Sequence, residues 1–362
     1  MTVLHCPEKF AKSALAENYF TTYLLRMMDK MKMMNKVLKV AIPALVLLSS
    51  ASCRENSGMA QVDPVFLADP FILEHEGKFF AYGTDSDSGI AVYASDDLKH
   101  WEGPCGAAKG GLALHKDDSW GDYWFWAPEV YRTGDRFAMT YSVQEHISVA
   151  FSDSPLGPFR QEEPMMPFIP DQKGIDSHIF VDDDGSAWIY WVRWDLGNGN
   201  EIHMAPLSPD FRQIDTSLQK TCIVTLPGTW EAVPDGGRVA EGPFMLKHDG
   251  LYYLSFSCND FRSKEYAVGY AVSSSPQGPW IRYEGNPILH RHGGFVGTGH
   301  HSFLITSKGK MYMVYHAHLS SDHIHPRKML LSPCRFVRSK EGPDRLEVGS
   351  KTIIPLHDKD FF

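Results

Sequence analysis

Three carboxylates and a histidine stand at matching places in otherwise apolar segments: Asp69 in ADPF, Asp176 in DSHIF, Glu241 in EGPF and His300 in HHSF. Each introduces an apolar run that ends in a tight turn. Acids are disfavoured in strands, and gathering several costs electrostatic energy. One alone reads as a loop cap; three in near register read as a site. Such a set suits acid–base hydrolysis of a glycoside. One carboxyl is kept protonated to donate to the leaving oxygen, and a second stays ionised to activate water or attack the sugar. A third beside the acid raises its pKa and holds its geometry.

The elements that must position these residues repeat along the chain. ADPFILEHEGKFFAYG, WAPEVYRTGDRFAMTYS, DSHIFVDDDGSAWIYWV, EGPFMLKHDGLYYLSFS and HHSFLITSKGKMYMVYH share one pattern. A polar start leads into an apolar strand, a turn containing glycine, and a second apolar strand, which is a hairpin signal. Most are followed by a further strand, a Ser/Asp/Pro turn and an aromatic-centred strand, as in IAVYASDDLKHWEG. Units of about 50 to 65 residues fall in the range of propeller blades. The pattern predicts an all-β, five-bladed β-propeller with four-stranded antiparallel blades, a two-sheet sandwich being the alternative.

Aligning the repeats on Pro70, Pro128, His178, Pro243 and Ser302 places Ala68, Trp126, Asp176, Glu241 and His300 in one column. Strand starts at one end of a propeller face the central channel, so these residues are expected to converge. Asp69 falls one position off the column. Pro70 is expected to fix the strand entry so that Asp69 faces the channel from the solvent side.

The chain has 362 residues, 43% hydrophobic and 12% aromatic, enough for a sizeable core. A formal net charge of −9 argues against nucleic acid and anionic membrane surfaces as partners. MKMMNKVLKVAIPALVLLSSASC has a basic start, an apolar run from Val40 to Leu48 and small residues before Cys53. The run is too short to span a bilayer and fits a secretory signal of lipoprotein type. Residues 1–53 are therefore set aside as an upstream extension and signal, and residues 54–362 as a single catalytic domain. The expected location is the periplasm or outer membrane of a Gram-negative bacterium, with Cys53 lipidated as the only membrane attachment. Cys105, Cys222, Cys258 and Cys334 are widely spaced without a CxxC, and buried thiols are the simpler reading.

ADPF at 68–71, WAPEV at 126–130, IDSHIFVDDDG at 175–185, EGPF at 241–244 and GTGHHSF at 297–303 together resemble the motif series of family-43 glycoside hydrolases, over about residues 62–340. That resemblance implies a five-bladed propeller hydrolysing with inversion. It implies Asp69 as general base, Glu241 as general acid and Asp176 as the residue that tunes and orients the acid. An inverting pair stands about 6.5–9.5 Å apart. No cofactor is required, but His300 is implied to help hold a hydrated calcium ion in the channel, His301 being turned away by strand alternation. Arg327, rather than Lys328, is implied to bind sugar hydroxyls. Only about twenty residues follow the last blade, so no C-terminal β-sandwich is expected.

Aromatic faces pack on the apolar faces of sugars. Trp126, Phe71 and Trp191 are the substrate-binding candidates, while Trp120, Tyr123, Trp124 and Trp194 are assigned to the core. Glu129 is read as structural, holding a neighbouring blade. The expected substrate is an arabinose- or xylose-containing glycan, cleaved by an α-L-arabinofuranosidase, with β-xylosidase and endo-arabinanase as alternatives; a monomer is expected. Two other classes compete. His316, His318, His323 and His325 suggest a metal-dependent hydrolase, and a non-catalytic glycan-binding lipoprotein would share the aromatics.

Overall fold

The computed structural model of the chain describes residues 63–194, 197, 199–234 and 236–358. The signal segment and Cys53 lie outside them. Every repeat forms the predicted antiparallel hairpin. The first strands are Ala68–His75, Trp126–Thr133, Ile175–Val181, Ala240–His248 and Gly299–Ile305. Each turns at its glycine-containing pair into a second strand, and further strands pair outward. The described residues form an all-β propeller.

The expected count of five four-stranded blades is corrected: the described residues form six sheets. Three have four strands, the sheet of Trp126–Thr133 has three, and the sheet of Ala240–His248 has five. The additional sheet joins Asp63–Pro64, Leu356–His357 and His100–Trp101. It was invisible to repeat analysis because its strands are two residues long and come from segments far apart in sequence. Pairing both ends of the described chain in one sheet closes the ring.

Alternation explains the core. Inward residues such as Tyr82, Tyr141, Tyr190, Tyr253 and Tyr315 are fully buried between sheets. Trp191 belongs to this set. It is 0% exposed among Ala138, Ile179 and Leu207, and its indole N–H donates to Gln172 Oε1 at 3.2 Å. The strand pleat turns it between sheets, so its reading as a sugar-binding residue is corrected. The four described cysteines outside the signal are free thiols.

Candidate functional site: an axial cleft with divided charge

The site is built on one backbone irregularity repeated around the axis. Every first strand breaks its ladder near its start, between Ala68 and Phe71, Trp126 and Glu129, Ile175 and His178, Glu241 and Phe244, and Gly299 and Ser302. The residue after each break is left-handed: Asp69 at φ 50°, Ala127 at 44°, Asp176 at 57°, Gly242 at 54° and His300 at 44°. These five are structurally equivalent. The expected column is therefore corrected: Asp69, Asp176 and His300 share a position, and Glu241 stands one residue earlier. A left-handed residue interrupts alternation, so neighbours i and i+1 both face the cleft. That is how Glu241 and Asp69 reach the same space from adjacent positions, and the bulge rather than Pro70 turns Asp69 inward.

Each bulge frees a backbone N–H that must find an acceptor. In four cases the residue opposite the preceding bulge supplies it. Thr84 Oγ1 accepts from Ala127 N at 2.9 Å, Ser142 Oγ from Asp176 N at 2.9 Å, Ser257 Oγ from His300 N at 2.8 Å, and His316 Nδ1 from Asp69 N at 3.1 Å. The fifth such position is Val192, opposite Ile175, which has no acceptor. There Gly242 N donates to Asp176 Oδ2 at 3.3 Å instead. One apolar residue in a ring of polar caps thus leaves the Asp176 carboxylate to complete the ring, and this fixes its orientation.

The carboxyls face a cleft of about 930 Å3 whose lining includes Asp69, Trp126, Asp176, Glu241, Phe261 and Arg327. Asp69 lies among polar groups, of which Arg327 and Thr84 donate to its carboxylate. Arg327 donates to Oδ1 at 2.9 Å and Thr84 Oγ1 to Oδ2 at 2.6 Å, while His300 and His316 nitrogens lie 3.3 and 3.2 Å from Oδ1. Burial alone would raise its pKa, but other groups, the Arg327 guanidinium foremost, outweigh it and hold the carboxyl well below the usual range. Burial, with Arg327 adding to it, keeps His316 neutral at about 3. Burial also lowers His300.

Glu241 has the opposite surroundings. Burial pushes it up to about 8; Tyr266, whose hydroxyl donates to Oε1 at 2.7 Å, opposes this, and the charges of Asp69 and Asp260 add to it. Asp176 is likewise raised well above its usual value by burial, then by Glu241 and Asp69. Near neutral pH the Asp176–Glu241 pair therefore retains a proton while Asp69 retains none. With Oε1 accepting from Tyr266, the acidic proton of Glu241 belongs on Oε2.

Trp126 is half-buried and lines the cleft as expected. Arg327 lines it too, with its guanidinium 4.6 Å over the Phe261 ring, but its strongest tie is to Asp69. Phe71 is corrected: it packs in the core and lines only a small chamber beneath the cleft. Glu129 is structural, bonded to His178 Nδ1 at 2.8 Å, and His178 Nε2 accepts from Met245 N at 3.0 Å, tying three first strands together. Thr84, Tyr266 and Phe261 escaped sequence reasoning. Thr84 alone had a signal: four of the phrases end on Ser142, Val192, Ser257 and His316, and Thr84 directly follows the end of the first.

The chamber beneath, about 10 Å3 and bounded by Asp69, Asp176 and His300, has room for about one water molecule. Calcium takes 6–8 oxygen ligands. A space for about one water has no room for the six or more oxygens of a hydrated calcium ion, so this chamber does not fit one. The metal-hydrolase reading also finds no centre. Among the described residues, the only group of three metal-competent side chains with donor atoms within 4.8 Å is His248, Asp249 and Asp344, at the opposite strand ends. His316 instead caps Asp69, and His318 Nε2 donates to Phe261 O at 2.7 Å.

A family model described as glycosyl hydrolases family 43 matches residues 62–339. Among solved structures, the chain is similar to an endo-1,4-β-xylanase from Bacteroides thetaiotaomicron, with 38% identity and a TM-score of 0.74 over 83% of this chain and 99% of that one. A β-xylosidase from Xylanibacter ruminicola is 26% identical over 294 residues, 69% of this chain and 87% of the relative. An arabinoxylan arabinofuranohydrolase from Bacillus subtilis is 27% identical over 297 residues, 69% of this chain and 55% of the relative.

Proposed function

We propose, since this chain belongs to glycosyl hydrolases family 43 and is therefore an inverting glycoside hydrolase, that it releases α-L-arabinofuranosyl units from arabinoxylan- or arabinan-type glycans. In this reading Asp69 is the base that takes a proton from the attacking water. Glu241 gives its proton to the leaving oxygen, and Asp176 keeps that proton on the acid and holds the acid's strand in place through Gly242. The division of charge carries the reading. Asp69 lies among Arg327 and two histidines, while Glu241, facing the same cleft, is pushed up to about 8. A non-catalytic binding module has no use for such a division.

The sugar is the finer part of the proposal. The arabinoxylan-acting relative supports arabinofuranosyl cleavage, while the xylanase and xylosidase relatives favour a second reading as a β-xylosidic enzyme. A cleft of about 930 Å3 is at the upper end for a ligand pocket and accommodates more than a single sugar. Aryl α-L-arabinofuranoside, aryl β-D-xyloside and linear arabinan assayed in parallel decide between them. Highest kcat/KM on the arabinofuranoside supports the first reading; highest on the xyloside replaces it with the second. Export and lipidation at Cys53 rest on the sequence, and labelling with a radioactive fatty acid that a Cys53→Ser variant does not take up tests them.

A further inference from the structure

We propose that Trp124 is a sugar-binding platform outside the catalytic cleft, one that receives a pentose chain beyond the unit being cleaved. The proposal rests on the cleft acting on pentose glycans as read above. Its starting point is an anomaly in the backbone. Trp124 has φ 60°, a left-handed conformation that a bulky side chain rarely adopts. Burial does not repay that strain, because the residue is 43% exposed. Strained residues persist where the surroundings over-determine them, and they gather at functional sites.

The surroundings here are rigid. Phe125 is 1% exposed and stacks on Tyr141 at 6.1 Å, which anchors the segment in the core on one side. On the other side, Gln144 N donates to Tyr123 O at 3.3 Å and Gln144 Oε1 accepts from Asp122 N at 3.2 Å. A Cβ on Gly121 would meet Val143 Cγ2 at 2.4 Å, so the loop lies tight against its neighbour. What this arrangement presents is an indole stacked on Trp126 at 5.4 Å and 20°.

Trp126 lines the cleft, so Trp124 continues its aromatic wall outward. Tyr123 follows edge-on at 5.0 Å and is itself 43% exposed. The wall is uncharged and aromatic, which matches the C–H faces of a neutral sugar chain. Continuity with the cleft identifies the occupant as the rest of the same substrate chain. Trp124 is thus a specificity residue for polymeric or oligomeric substrate, not a catalytic one.

The test compares wild type with Trp124→Ala and Trp124→Gly in the full chain. Substrates are aryl α-L-arabinofuranoside and aryl β-D-xyloside, which carry one sugar, and arabinoxylan and arabinan oligosaccharides. Both variants are expected to lose tenfold or more in kcat/KM on the oligosaccharides, mainly through KM, and to stay within twofold on the aryl glycosides. Trp124→Gly, which accepts the left-handed backbone, is expected to melt no lower than wild type. Equal losses on both substrate types, or no loss on the oligosaccharides, would overturn the platform. If wild type cleaves neither aryl glycoside, the substrate reading fails on its own. Calorimetric titration of the oligosaccharides into wild type and Trp124→Ala then decides the subsite: a Kd at least tenfold weaker in the variant supports it, and an unchanged Kd overturns it.

Discussion

The two sides of the cleft floor begin from the same material, a buried carboxyl beside a strand bulge, and end in opposite states. On one side Arg327, Thr84, His300 and His316 all lie within 3.3 Å of an Asp69 oxygen. On the other, Glu241 has one neutral donor, Tyr266, and a second acid, Asp176, for company. Burial disfavours both charges alike. What separates them is the cation bonded directly to Asp69 and acting on Glu241 only from a distance. The contrast teaches that the acid–base assignment comes from the second strands and the late loop carrying Arg327, rather than from the motif acids.

The largest effects should come from removing the two extremes. Asp69→Asn and Glu241→Gln are each expected to lower kcat/KM by ~10²–10⁴-fold, the range for a lost general base or acid. A loss below tenfold in either would break the comparison. Glu241→Gln also has a stability signature. A carboxyl pushed up to about 8 in the folded state binds a proton there that the unfolded chain, with the ordinary value of about 4.3, has released. Native stability from this group is present below that lower value and falls as pH rises towards 8. The Gln variant should therefore melt above wild type at pH 7 and lose that advantage at pH 4.

Arg327→Met removes the cation that favours ionised Asp69, so the acidic limb of the pH–rate profile should move up by ~1–3 units. The stability that ionised Asp69 contributes exists above its unfolded value and is lost as pH falls, so this variant should also melt lower at neutral pH. An unmoved acidic limb would detach Arg327 from the base. Tyr266→Phe removes a donor that favours ionised Glu241. Its basic limb should move up by roughly one unit, whereas a purely structural tyrosine would lower activity evenly at all pH values. The smallest effect is expected from Val192→Ser, which offers Gly242 N a neutral acceptor in place of Asp176. Loss of that orienting bond, about 1 kcal/mol, should cost roughly tenfold or less in kcat, with KM unchanged.

Much of this arrangement could be read from the chain. The alternating runs and glycine-containing turns announced five hairpins, and Asp69, Asp176 and Glu241 stood out because acids rarely begin strands. Their register did not follow, since counting assumes unbroken alternation and every first strand is broken by a left-handed residue. Ala127 shows why the break was hidden: nothing in an alanine advertises positive φ. Trp191 and Phe71 were misplaced for a related reason, as an aromatic looks the same whether the pleat turns it to the cleft or to the core. Tyr266 and Phe261 come from loops without a repeat, and only the folded chain brings them beside Glu241 and Arg327. The additional sheet pairs dipeptides nearly 300 residues apart, Asp63–Pro64 with Leu356–His357, which no local pattern encodes.

The central claim is that Glu241 supplies a proton and Asp69 removes one. A series of aryl pentosides with increasingly acidic phenol leaving groups tests it most directly, measured as kcat/KM for Asp69→Asn and Glu241→Gln beside wild type. A good leaving group needs no proton but still needs an activated water. The deficit of Glu241→Gln should therefore shrink steadily along the series, while that of Asp69→Asn stays constant. Parallel deficits, or a shrinking deficit in Asp69→Asn alone, would contradict the assignment.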